Sequence, residues 1–552
     1  MKIVQEVAQA RAAVMMYAVV LCGCLIALAA AQDANAPVSA ILDVTPRDLL
    51  VHPVAGNWPS YNGDYSGQRY SSLAQITREN VDQLRAQWVF HSRNSNLLEA
   101  TPNVFNGILL MTSANDALAL DARTGRTLWH YSRPVTEGLV DDASAHHNRG
   151  VALLGRHVYM ETDNAHLVCL DARSGHLVWD VAYAPGNKNY GATSAPLVVK
   201  DKVLVGTSAG DDGVRGFLAA FDAESGKELW RFWTIPAPGE FGSSSWPGEM
   251  YLRGGATTWM PGTYDAELNT VYWGTSNPSP VFDGGPRPGD DLYANSVLAL
   301  DADTGKLKWY FQFTPHDLFD YDATQTSVLI DAVYEGAPRK LLVQANRNGF
   351  LYVLDRSSGK FLSATRFIDR LNWASGIDAS GRPIRTGVQP TSNGTLTCPG
   401  MIGATNWFSP SYNPSTHLLY FMALEQCELL FLKPQRFEEG QEYYATGSKR
   451  AHGDFTQKIL LAFDPETRRF AWRYPQAGSG GSWGGTMTTA GGLVFFGDDS
   501  EAFEAVDAET GKPLWHFTTG QTMHASPMSY AVEGKQYVAI ASGSDLFSFA
   551  LP

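Results

Sequence analysis

Cysteine is scarce in this chain, with five in 552 residues, and Cys22 and Cys24 fall in an apolar N-terminal run. No Cys-x-x-Cys-His occurs, which excludes a c-type haem attached to the chain itself. Runs of Lys or Arg are absent and the formal net charge is -14, so nucleic acid is excluded as a partner. That acidic balance would draw a basic protein to the surface. Beyond the N-terminus no stretch of about 20 uninterrupted apolar residues exists, so nothing else is long enough to span a membrane as a helix.

Residues 1–31 have the form of a secretory signal, with Lys2 and Arg11 ahead of an apolar run that ends in Ala29-Ala30-Ala31. A periplasmic mature protein without a membrane span is expected. A lipoprotein site at Leu21-Cys22-Gly23-Cys24 is disfavoured because apolar residues continue past Cys24; an uncleaved anchor is the remaining alternative. Residues 32–56 are rich in Ala and Pro and form a linker ahead of one large domain, 57–552. Cys169, Cys398 and Cys427 survive signal cleavage. An oxidising compartment favours a bridge between Cys398 and Cys427 and leaves Cys169, on an apolar strand, as a buried thiol.

Abundance tells more. Aromatics reach 12% and there are 52 glycines, as hairpin-rich β structure requires. In LALDARTGRTLWHY an apolar run ends at Asp121, Thr124-Gly125 makes a turn, and Trp129 stands eight residues after the Asp on the next run. The offset recurs at Asp171/Trp179, Asp222/Trp230, Asp301/Trp309, Asp464/Trp472 and Asp507/Trp515. Asp355 and Gly359 keep the turn but have Ser363 in the Trp position, while Trp88 has no hairpin before it and DLFSFALP no Trp after it. Such repeats predict an all-β, eight-bladed β-propeller with tryptophan-docking repeats, its ring closed by pairing of the N- and C-terminal strands. The anchors are 41 to 54 residues apart except for gaps of 79 and 109 residues, where ordered insertions are expected.

Several stretches outside the repeat combine small residues with isolated polar groups: HHNRG (146–150), GTSAGDDGVRG (206–216), GGATTW (254–259), TSNPSP (275–280), RPGDDLY (287–293), QANRNG (344–349), GATNW (403–407) and SWGG (482–485). They come from different repeats, as a site on a common axis requires. Small residues let the backbone approach a flat ligand, Trp offers a stacking face and Arg answers carboxylates.

As a set, and from NWPSYNGDYSGQRYS to the C-terminus, these stretches resemble the pyrroloquinoline quinone (PQQ)-dependent alcohol dehydrogenases. The resemblance implies PQQ and a Ca²⁺ or lanthanide ion, an alcohol as small-molecule substrate, and a separate electron acceptor of cytochrome c type. It implies metal ligation by Asp211, Asn277 and Asp290, with Asp290 also the catalytic base. Trp259 would stack on the quinone and Arg347 would bond its reactive edge. Arg149, Thr193, Ser208, Ala209, Gly210, Asn406 and Trp483 would hold the rest of the cofactor. The residue types suit that chemistry: a hard cation takes oxygen ligands, and a carboxylate beside a cation and an Arg stays ionised yet within reach of a hydroxyl proton.

The chain departs from the family pattern where Ala143 and Ser144 replace an adjacent pair of cysteines, and where Asp211 stands for a Glu. Asp291 is an extra carboxylate beside the expected base. The alternatives are a PQQ enzyme acting on a polyol, sugar or polymer, and a non-catalytic periplasmic propeller scaffold. The loops at 240–251 and 437–454, expected to line the entrance, follow no pattern that names a substrate.

Overall fold

The computed structural model describes residues 42–552 apart from 94–96, 140–146, 185–188, 446, 451–455 and 479–480. The signal segment, the linker through residue 41, and Ala143, Ser144 and His146 lie outside the described residues. The described residues form an all-β, multi-sheet, propeller-like fold. Seven sheets have four strands and one has five. Six of them take consecutive antiparallel strands from 103–132, 152–182, 197–233, 263–312, 328–366 and 411–475. The seventh, 486–518, gains Tyr70–Ser71 as a parallel fifth strand; the eighth, 528–550, gains Arg85–His91.

The expected closure of the ring by strand pairing is corrected by this topology: no sheet is closed into a ring. Arg85–His91 does pair antiparallel with Asp545–Ala550, Trp88 opposite Ser548, but the pair completes one open sheet of four. The physical reason lies in what joins neighbouring sheets. Ladder hydrogen bonds stay within each sheet, and successive sheets meet through side chains and through isolated backbone bonds, such as those the 65–69 segment accepts from Tyr264, Leu329, Tyr412 and Thr488.

The repeat Trp residues carry that contact. Trp88, Trp129, Trp230 and Trp472 each donate Nε1 to the carbonyl of the Ala after the next repeat Asp: Ala122, Ala172, Ala302 and Ala508. Their rings lie so close to the next hairpin that a Cβ on Gly125, Gly175, Gly305 or Gly511 would come within 2.4 to 2.6 Å of the indole. Gly is needed there both for that approach and for φ near +70°. Where the Trp is replaced by Ser363, the next hairpin turn carries Arg468 (φ +61°) instead of Gly. With no indole to receive, a side chain fits.

Inner strands such as Ile108–Ser113 are wholly buried, whereas outer strands such as Thr127–Ser132 bury only part of their length. The described residues of the long insertions form regular elements. The first holds the 3₁₀ turns Ser243–Ser245 and Met250–Leu252. The second folds into a ribbon, Ala374–Ile377 with Pro383–Arg385, and a small sheet of Thr395–Thr397, Glu428–Leu430 and Ser448–Arg450. Cys398 and Cys427 are disulfide-bonded beside that small sheet, and Cys169 is a buried free thiol. Among the described residues no helix is long and apolar enough to cross a membrane.

Candidate functional site

The segments that lead into the first strand of several sheets, and the loops after the second strand of three of them, converge on a cavity of about 220 Å³. Its wall includes Arg149, Thr193, Ser208, Ala209, Gly210, Asp211, Trp259, Asn277, Arg347, Asn406 and Trp483, residues that the resemblance named. Crowding explains the small residues around them. A Cβ on Gly210 would stand 2.9 Å from the Thr257 hydroxyl, and one on Gly403 2.7 Å from Cβ of Arg347.

One end of the cavity is cationic and aromatic. The Arg149 guanidinium lies 5.0 Å from the Trp259 ring and 4.7 Å from the Trp407 ring, and Trp407 stacks on Trp483 at 6.2 Å. Arg149 is tied to Thr193 Oγ1 at 2.8 Å and to the Glu99 carboxylate at 2.6 Å. Glu99 also faces His147 at 3.7 Å.

The other end is acidic. Asp211, Asp320 and Asp322 share it with a single guanidinium, Arg347, which reaches Asp320 Oδ2 at 3.3 Å and Asp322 Oδ2 at 3.0 Å. Asn277 Nδ2 donates to Asp211 Oδ1 at 2.8 Å, and the Asn277 backbone N–H donates to Asp322 Oδ1 at 2.6 Å. The Trp259 indole N–H donates to Asp322 Oδ2 at 3.0 Å, fixing the plane of that ring. Burial pushes the Asp322 carboxyl up to about 6, with Asp211 adding to the rise and Arg347 opposing it. Burial lifts Asp320 well above the carboxylate range, again with Arg347 opposing and Asp211 and Asp322 reinforcing. Burial alone would lower Arg347, but the surrounding carboxylates raise it, so it stays charged. Asp320 also holds a left-handed backbone (φ +67°), a cost that non-glycine residues bear mostly where the surroundings impose it.

Asp290 does not reach this site. Its side chain is 45% exposed and forms a two-point ion pair with Arg382 of the inserted ribbon, at 2.6 and 2.8 Å. The hydrogen bond from Arg382 holds its carboxyl below the usual range. The expectation that Asp290 binds the metal and acts as base is therefore corrected. Asp291 points elsewhere too: it is fully buried in an ion pair with Arg287 and faces His316 at 3.2 Å.

The carboxylates that do line the cavity, Asp320 and Asp322, went unassigned in the sequence, as did Trp407 and Tyr444. A usable signal was present in Leu318-Phe319-Asp320-Tyr321-Asp322. Two carboxylates two residues apart among large aromatic and apolar residues need a reason to be there.

The donor set fits a flat polyanion held with a cation. Ser208 Oγ, Arg149 Nε and Arg347 Nε are buried at the cavity without a hydrogen-bond partner among the described residues. At the acidic end, the carboxylates of Asp211, Asp320 and Asp322 and the amide oxygen of Asn277 are hard oxygen donors. Among the described residues no three His, Cys, Asp or Glu side chains already converge as a completed metal cage. The carboxylates are instead held apart by Arg347, Asn277 and Tyr444, whose hydroxyl donates to Asp211 Oδ2 at 3.0 Å.

Comparison with known proteins gives this site a lineage. The family described as "PQQ: Glucose/ethanol/alcohol dehydrogenase, beta-propeller domain" matches residues 58–366 and 451–538. The quinohemoprotein alcohol dehydrogenase ADH IIB of Pseudomonas putida is 38% identical over 510 residues, covering 88% of this chain and 73% of that protein. Among solved structures, the quinohemoprotein alcohol dehydrogenase of Comamonas testosteroni superposes with a TM-score of 0.86 at 34% identity, covering 93% of this chain and 83% of that one. A europium-containing methanol dehydrogenase superposes with a TM-score of 0.83 at 30% identity, covering 92% and 99%. On these matches the chain belongs to the family of PQQ-dependent quinoprotein and quinohemoprotein alcohol dehydrogenases, which are oxidoreductases.

Proposed function

We propose that the chain oxidises an alcohol in the periplasm, using PQQ and a hard cation in the cavity, and passes the electrons to a separate cytochrome-type protein. When bound, PQQ supplies a two-electron acceptor and the cation a Lewis acid beside it. Arg149, Thr193 and Ser208 would hold the cofactor's carboxylates at the cationic end, and Trp259 would cover one face. Asp211, Asn277 and Asp320 would ligate the cation, with Asp322 beside them.

Asp320 is the residue we assign as base, and the occupancy of the carboxylate oxygens carries that choice. Both oxygens of Asp322 accept hydrogen bonds, from the Asn277 N–H and from Trp259 and Arg347. Both oxygens of Asp211 are likewise engaged, by Asn277 and Tyr444. Asp320 gives only Oδ2 to Arg347, so Oδ1 is the atom that takes the hydroxyl proton. Arg347 opposes the upward pull of burial on the Asp320 carboxyl.

Three carboxylates against one guanidinium leave a surplus of negative charge at the acidic end before any cofactor adds its own. That surplus favours a trivalent lanthanide over Ca²⁺ as the partner ion. The periplasmic assignment is supported by the Cys398–Cys427 disulfide, which persists in an oxidising compartment.

The test is reconstitution of purified protein with PQQ and either Ca²⁺ or La³⁺, followed by dye-linked oxidation of ethanol. Turnover with wild type, and loss of turnover with retained quinone absorbance in Asp320→Asn, is the expected result. No quinone absorbance and no turnover with either ion would end this reading.

A further inference from the structure

The acidic end of the cavity has a wall that the repeat does not supply. Residues 426–456 interrupt the paired strands Leu418–Glu425 and Gln457–Asp464, and this insertion carries Tyr443 and Tyr444 across to the carboxylates. Tyr443 donates its backbone N–H to the carbonyl of Asp211 at 2.7 Å, and Tyr444 its hydroxyl to Asp211 Oδ2 at 3.0 Å. On the far side the Phe282 backbone N–H donates to the Tyr444 carbonyl at 3.1 Å, and the Phe282 and Tyr444 rings stack at 6.3 Å, 23° apart. Tyr443 is itself buried against Phe437. The dipeptide is thus anchored at both ends, and the Tyr444 ring is held in one place.

We infer that Tyr444 determines the size of the alcohol the enzyme accepts, by standing where the substrate's carbon chain must lie. The inference rests on the alcohol oxidation proposed above. A substrate whose hydroxyl reaches Asp320 has its carbon chain beside the carboxylate cluster. The other aromatic residues of the wall are committed elsewhere: Trp407 and Trp483 stack on each other near Arg149, and the Trp259 edge is bonded to Asp322. Tyr444 is the remaining large ring at that end, and it belongs to an insertion whose length the repeat does not constrain. A ring fixed by Asp211 and Phe282 cannot swing aside, so it excludes bulky or branched chains and packs on short ones.

The experiment compares wild type, Tyr444→Phe and Tyr444→Ala, each loaded with PQQ and La³⁺ or Ca²⁺. The first readout is the ratio of kcat/KM for 3-phenyl-1-propanol to that for ethanol. Removal of the ring should raise the ratio by about tenfold or more, the scale on which pocket volume discriminates apolar groups, while Tyr444→Phe keeps the wild-type ratio. The second readout is binding of 2-methyl-4-phenyl-2-butanol, a tertiary alcohol with no carbinol hydrogen to lose, measured by calorimetry; it should tighten by a similar factor in Tyr444→Ala alone. Tyr444→Leu replaces the alanine variant if that fails to fold, with the same expectation at reduced size. An unchanged ratio and unchanged binding in variants that still oxidise ethanol would overturn the role of Tyr444 and leave alcohol oxidation standing. Were the wild type to oxidise no alcohol at all, the proposed activity would fail instead, and the tertiary-alcohol binding would still decide whether Tyr444 forms the wall.

Discussion

Glu161 lies fully buried at the end of the strand His157–Glu161, in the sheet next to Arg149. Its carboxyl accepts a hydrogen bond from the Tyr183 hydroxyl at 2.9 Å, and its backbone carbonyl accepts from the Asn148 side chain at 2.8 Å. Burial pushes the carboxyl from 4.5 up to about 8, although the Tyr183 and Gly206 hydrogen bonds pull the other way. Below 4.5 the group is protonated whether the chain is folded or unfolded. Between 4.5 and 8 the unfolded chain releases the proton and the folded chain keeps it, so stability falls as pH rises across that window and levels off above it. A difference of about 3.5 between the two states corresponds to roughly 5 kcal/mol at ~1.36 kcal/mol per tenfold. Glu161→Gln keeps an acceptor for Tyr183 and has no proton to lose. Urea unfolding followed by Trp fluorescence at several pH values between 4.5 and 8.5 should therefore show the variant gaining stability over wild type as pH rises, by several kcal/mol across the range. Other titrating groups cancel in that difference. A difference that stays flat with pH would refute the reasoning and place Glu161 in an ordinary, ionised state.

The remaining predictions concern the site and the docking of the sheets. Asp320→Asn should lower kcat by about 10²- to 10⁴-fold, the usual share of a general base, whereas Asp290→Ala, which removes an exposed ion pair with Arg382, should leave kcat within about twofold. Asp322→Ala removes one of the three carboxylates at the acidic end and should weaken La³⁺ binding more than Ca²⁺ binding, as isothermal titration of PQQ-loaded protein would show. Gly305→Ala places a Cβ 2.4 Å from the Trp230 ring at a φ of +67°; a cost of about 1–3 kcal/mol is expected for the overpacking and strain, read as a lower urea midpoint.

Much of the architecture was legible because it is periodic. The Asp-to-Trp offset located the hairpins, and the structure adds what the spacing could not say: the indoles of Trp88, Trp129, Trp179, Trp230, Trp309 and Trp472 rest on the turn of the following repeat. Trp88 on Gly125 shows this at the first repeat, and the paired loss of Trp at 363 and Gly at 468 shows it by exception. The same fact explains why strand pairing does not make a ring. The links between sheets are side chains and isolated backbone bonds, which leave no ladder to read.

The site was legible where close packing forces small residues, as at Gly210 and Gly403. It was misread where the answer depended on partners distant in sequence. RPGDDLY looks like an acidic loop at a metal, but Arg382 claims Asp290 from 92 residues away, and Arg287 and His316 claim Asp291. Those pairings are properties of the folded ribbon and loops. Local sequence carries no trace of them. The Asp320-Tyr321-Asp322 segment carries a signal of its own, but its role as the acidic wall depends on Arg347 opposite it, which is held by a hydrogen bond to the Met401 carbonyl at 2.7 Å.

The central claim is that the carboxylates of Asp211, Asp320 and Asp322 meet a cation beside a cofactor in one cavity. Anomalous diffraction from crystals grown with PQQ and Eu³⁺ tests it most directly. The account predicts a single strong anomalous peak inside the cavity, within about 2.3–2.6 Å of oxygens of Asp211, Asn277 and Asp320. A peak at the Asp290–Arg382 pair, or a cavity holding neither ion nor cofactor, would contradict it.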